Sequence, residues 1–95
     1  MQSLKIGQGY LIRTTEGPYT GRVRSVSFTD VVLSEAASVS LGPPLHEVLR
    51  TGNLPRVDPF PDEVTISAAI IIDATPWQHE LPREPKGLLD EEIPF

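Results

Sequence analysis

The stretch that most constrains this chain is Val64-Thr65-Ile66-Ser67-Ala68-Ala69-Ile70-Ile71-Ile72-Asp73. Val64, Ile66, Ala68, Ile70 and Ile72 fall on one parity, and Thr65, Ser67, Ala69 and Ile71 on the other. That is the period of a strand with one face on a core. A strand of this length cannot stand alone, because its backbone N–H and C=O groups need partners on neighbouring strands. The chain must therefore supply a sheet. The second face, small and semi-apolar around Ile71, needs cover at a sheet edge and predicts self-association into a homo-oligomer.

Three further strands are predicted upstream. Lys5 to Thr14 carries Ile6, Tyr10, Leu11 and Ile12. Glu16-Gly17-Pro18 is a turn by composition. Tyr19 to Phe28 changes phase, with Val23 on one parity and Val26 and Phe28 on the other, which predicts a bulge or bend near Arg24-Ser25. Val31-Val32-Leu33 follows, extending weakly through Ser38-Val39-Ser40. Leu45, Val48 and Leu49 recur at helical spacing between Pro44 and Gly52-Asn53, so residues 44–51 are expected as a short helix closing one end of the fold. His46 is expected on its exposed side. Leu54 to Glu63, with Pro55, Pro59 and Pro61, reads as a stiff loop anchored by Phe60, and Trp77 as a cap on the core. The fold class is mainly β: a small barrel of four to five strands with one short helix and an extended C-terminal tail. Residues 1–80 form the domain. Residues 81–95, with Pro82, Pro85 and Pro94, form a linker and acidic tip.

With 95 residues there is room for one small core, and with no cysteine neither disulfides nor a thiolate metal site can supplement it. No apolar run has the length of a membrane span and no signal-peptide pattern opens the chain, so a cytoplasmic protein is expected, without membrane contact. The net charge is −5. Asp90, Glu91 and Glu92 carry three of those charges, which leaves −2 elsewhere. Lys5, Arg13, Arg22 and Arg24 outnumber Glu16 and Asp30 in the first third. Arg13, Arg22 and Arg24, with Tyr19 as a stacking ring, are the candidate contacts for a nucleotide or single-stranded nucleic acid. Any such binding is expected to be weak and to fall with salt.

The chemistry of catalysis is not visible. Gly7-x-Gly9 opens no helix and lacks a third glycine, the two histidines lie on separate elements, and no carboxylate-histidine spacing suits a metal. No catalytic residue, metal ligand or cofactor is assigned, and the chain is expected not to be an enzyme. The end of the chain is a different matter. Asp90-Glu91-Glu92-Ile93-Pro94-Phe95 offers a ring and a terminal carboxylate to an apolar pocket with a basic rim, and Pro94 restricts the peptide in advance.

Three resemblances accompany these residues. Asp90-Glu91-Glu92-Ile93-Pro94-Phe95 resembles the C-terminal tip of bacterial single-stranded-DNA-binding proteins, which docks on replication, recombination and repair enzymes. The resemblance implies Phe95 as pocket anchor, Ile93 and Pro94 as its support, and Asp90, Glu91 and Glu92 as an electrostatic collar. Gly17-x-Tyr19-x-Gly21-x-Val23-x-Ser25-Val26 and Val31-Val32-Leu33-Ser34-Glu35-Ala36 resemble the Sm-like family over about residues 6 to 37. That implies a fold and, more weakly, RNA binding; the family's base-holding Asp and Asn are replaced by Thr29-Asp30. From about Leu4 to Lys86 the chain resembles small phage and prophage proteins. The residues concerned include Tyr19-Thr20-Gly21-Arg22, Asp30-Val31-Val32-Leu33-Ser34-Glu35-Ala36-Ala37, Leu49-Arg50-Thr51-Gly52, Pro59-Phe60-Pro61-Asp62 and Asp73-Ala74-Thr75-Pro76-Trp77-Gln78-His79-Glu80-Leu81-Pro82-Arg83-Glu84. The expected role is a phage adaptor whose tip engages host or phage DNA replication and recombination proteins. The alternatives are an oligomer that sequesters a nucleotide signal or blocks a host-defence protein, and an Sm-like RNA binder.

Overall fold

A computed structural model describes residues 4–42 and 44–87. Among the described residues the protein is mainly β, with 51% of them in strands and one short α-helix. The strands are β1 (Gly9–Thr14), β2 (Gly17–Val26), β3 (Asp30–Ser40), β4 (Arg56–Pro59), β5 (Val64–Ser67) and β6 (Ile71–Pro76); α1 (Leu45–Thr51) lies between β3 and β4. All pairings are antiparallel. The sheet runs β4-β3-β2-β1-β6, and β5 pairs with the first part of β3 while β4 pairs with its last part.

Gly9 to Ile12 of β1 is buried on both faces, and the sheet accordingly has two cores. Tyr10 and Ile12 meet Val23, Val31, Leu33, Ala36, Ile66 and Ala74 on one side. Leu11 meets Ala37, Val39, Val48, Leu54, Val57 and Trp77 on the other. The helix closes this second core as its spacing predicts: Val48 is buried, Leu45 and Leu49 pack beside it, and Gly52 caps the end in the left-handed region. Pro44 stands one position earlier than expected, as the N-cap. His46 is exposed, Trp77 is buried and Phe60 packs against the first core.

The bulge expected near Arg24-Ser25 is present as a register shift between Val23 and Ser25. A second shift faces Glu35, a non-glycine residue at φ 52, and lets β3 run unbroken where a short strand with a weak extension is expected. Two irregularities in one strand pair bend it strongly. Beyond the first of them Val26 is half-exposed and Phe28 stands fully out in solvent on the β2–β3 turn.

The ten-residue strand does not survive intact. Ser67 accepts a hydrogen bond from the Ala69 N–H, and Ala68–Ile70 forms a 3-10 turn that splits the run into β5 and β6. The turn is tied on both sides: Ala68 N–H donates to Thr29 O at 2.8 Å and Thr15 N–H to Ile70 O at 2.9 Å. It carries the chain from the edge of β3 to the edge of β1, and it resets the parity. Ile70 and Ile71 pack on the first core, whereas Ile72, expected inside, is 63% exposed. The outer face around Ile71 from which self-association is expected therefore does not form. The proline loop also contributes a strand, β4, which a proline tolerates because it lies at an edge. Six strands thus replace the expected four to five, and the hydrogen-bonded ladder is not closed into a barrel.

Two core positions test this packing. A Cβ on Gly21 would lie 2.9 Å from the Leu33 Cβ, which belongs to a fully buried side chain. Gly21→Ala is expected to cost about 1–3 kcal/mol in urea denaturation, as overpacking does. Thr20 is fully buried and its hydroxyl has no hydrogen-bond partner among the described residues. Thr20→Val removes that desolvated group and is expected to add about 1 kcal/mol in the same measurement.

Candidate functional site

The four body residues singled out by charge and ring lie on β1 and β2, and each is engaged within the protein. Arg13 faces Asp73 directly across the β1–β6 pair and grips it with a forked guanidinium, Nε donating to Oδ1 at 2.9 Å and to Oδ2 at 3.1 Å and Nη2 donating to Oδ2. Arg22 donates from Nε to Glu35 Oε2 at 2.7 Å and from Nη1 to the Gly7 carbonyl at 3.0 Å. It is the bulge at Glu35 that presents this carboxylate to β2. Arg24 lies 3.6 Å from Glu63. Tyr19 turns its ring to Phe60, with centroids 6.1 Å apart, and both pack on the first core. The charges of Arg13, Arg22 and Arg24 are thus matched locally, and the aromatic ring that could stack on a base is used in packing. Asp90, Glu91, Glu92, Ile93, Pro94 and Phe95 lie outside the described residues.

What the expected residues do not reveal is the segment after β6. Residues 77–87, taken from Leu81 onward as linker, are fastened along the second core as a strap. Trp77 N–H donates to Gly9 O at 2.9 Å, and its indole N–H donates to Glu80 O at 3.0 Å. His79 shares a hydrogen bond of 2.8 Å with Leu49 O and meets Trp77 edge-on. Leu81 packs on the second core. Arg83 donates to Ala36 O at 2.7 Å and to Phe60 O at 2.9 Å. Lys86 and Val57 exchange both backbone hydrogen bonds, at 2.9 and 3.0 Å, and so cover part of the β4 edge. The signal for this was available: Leu81 is apolar, and Pro82 and Pro85 stiffen the chain, which lowers the entropy lost on docking.

Two shallow grooves flank the strap. One, of about 310 Å³, has an apolar floor of Leu54, Val57, Leu81 and Pro82 and a rim that holds Arg83 and Lys86 against Glu80 and Glu84. The other, of about 500 Å³, lies between Arg22, Glu35 and His79 and the same strap. Among the described residues no group of three histidine, aspartate or glutamate side chains gathers as a metal site, and no helix is long and apolar enough to cross a membrane.

The paired carboxylates give a pH dependence with a definite sign. Hydrogen bonds from Arg22 hold Glu35 below the usual carboxylate range against the desolvation that opposes them, and the charges of Arg22 and Arg83 act in the same direction. Hydrogen bonds from Arg13, with its charge, do the same for Asp73. Both groups bind protons more readily in the unfolded chain. Their contribution is therefore fully present above the ordinary carboxylate pKa, near 4, and is lost as pH falls through the lowered values. The melting temperature of the wild type is expected to fall more steeply below about pH 4 than that of Glu35→Gln or Asp73→Asn. Parallel curves for all three proteins would contradict this.

Compared with protein-family models, with curated proteins and with solved structures, the chain matches none.

Proposed function

We propose that the protein is a non-enzymatic adaptor of phage type. Its body is a small Sm-like or SH3-like barrel left open between β5 and β6, and its C-terminal Asp90-Glu91-Glu92-Ile93-Pro94-Phe95 docks on host or phage enzymes of DNA replication, recombination and repair. The observation that best supports this reading is the strap. Residues 77–87 are fastened to the second core as far as the Lys86–Val57 bridge, four residues before Asp90 in the sequence. A hook mounted so close to a folded body places that body next to any enzyme that takes the hook.

The pairing of the arginines favours this over nucleic-acid binding. Phosphate contacts need cations whose charge is not already matched, and Arg13, Arg22 and Arg24 each face a carboxylate. In the adaptor the ring of Phe95 fills an apolar pocket, its terminal carboxylate meets an Arg or Lys, and the three acids meet the basic rim around it.

Deleting Phe95 is expected to weaken binding to an enzyme that reads the single-stranded-DNA-binding protein's tip by about 2–4 kcal/mol, the range of an interface hot spot. Adding one residue after Phe95 should do similar damage by displacing the carboxylate. Neutralising Asp90, Glu91 and Glu92 should weaken binding gradually and flatten its salt dependence. Calorimetric titration of the enzyme with each protein checks this. If the intact chain shows no heat of binding, or if Phe95 deletion leaves the affinity unchanged, the adaptor reading is wrong. Tight binding to single-stranded DNA that falls steeply with salt would return the case to the body arginines.

A further inference from the structure

We propose that the tip has a second seat on its own chain, the groove of about 310 Å³ beside the strap, and that this seat competes in cis with the partner enzyme. The proposal rests on the tip being a ligand, as read above. The occupant is Leu88 to Phe95, which lies outside the described residues. Lys86 lines the groove, so this segment begins at the groove's rim. Its eight residues reach at most about 29 Å when extended, so the groove at whose rim they begin lies within reach. Gly87, at φ 74, takes a left-handed conformation, and a Cβ there would lie 2.5 Å from the Pro55 carbonyl oxygen.

The chemistry of the groove suits the apolar end of the tip more than its acids. Leu54, Val57, Leu81 and Pro82 form a floor for Phe95, Ile93 and Pro94. Arg83 is held in place by two carbonyl oxygens and its charge also acts on Glu35, and Lys86 stands on the same rim. Glu80 and Glu84 also line the groove, so its rim is close to neutral and the acids gain little there. An enzyme pocket with a wholly basic rim would gain from ring and acids together. The cis seat is therefore the weaker of the two, yet it is served by the high effective concentration of a short tether, on the order of millimolar. A seat of millimolar affinity would be about half-filled, and the apparent affinity of the partner would fall about two-fold. Binding of the enzyme then empties the groove, and the tip passes from one seat to the other.

The test compares the full chain with its Phe95→Ser variant by amide chemical shifts, at two protein concentrations at least ten-fold apart. Seating in cis predicts shifts at Leu54, Val57 and Leu81 that change with Phe95→Ser and are the same at both concentrations. Unchanged groove signals would overturn the proposal. Signals that move with concentration would overturn it too, since the tip would then sit on a second copy. A synthetic peptide with the sequence of Leu88 to Phe95, titrated against the tip-reading enzyme, is the separate readout. A peptide that binds the enzyme beside a silent groove defeats the cis seat alone. A peptide that fails to bind defeats the adaptor reading, and with it the competition.

Discussion

The structure depends on one strand being buried on both faces. A sheet that packs on one side can alternate apolar and polar residues, but Tyr10, Leu11 and Ile12 are consecutive and all buried, so something must lie above and below β1. The chain meets that demand with two different devices. Bent β2 and β3, together with β5, the 3-10 turn and β6, wrap the first core. The helix, β4 and the strap cover the second. Take away the strap and the side of Leu11 loses Trp77 and Leu81 at once.

The elements that can be read from the chain are those set by local chemistry. The helix from Leu45 to Thr51 follows from apolar spacing between a proline and a glycine, and the β2 bulge from the change of phase after Val23. What could not be read depends on where the chain must go next. Alternation from Val64 to Ile72 describes a strand correctly until the sheet requires a crossing from β3 to β1. There the two small alanines after Ser67 yield to a turn, and Ile71 and Ile72 exchange sides. Proline density hid β4 and the strap in the same way, because it signals restriction of the backbone and does not say whether the restricted segment is docked.

The candidate site divides along the same line. Composition locates the basic residues but not their partners, and partners decide whether a cation can meet a ligand. Arg13 and Asp73 are 60 residues apart and become neighbours only through the β1–β6 pair. Glu35 meets Arg22 because a bulge turns it there. The surface that results is patterned with matched charges, and the proposed adaptor role rests on the geometry of the strap and the sequence of the tip more than on a field of positive potential.

Trp77 is the chain's single tryptophan, and it sits where the sheet ends and the strap begins. Its indole is buried, donates to Glu80 O and meets the imidazole of His79 edge-on. Tryptophan fluorescence from this protein, excited selectively, therefore comes from one junction. The emission is a built-in gauge of whether the strap lies on the body, and it can be read without labels as partners, salt or peptide are added.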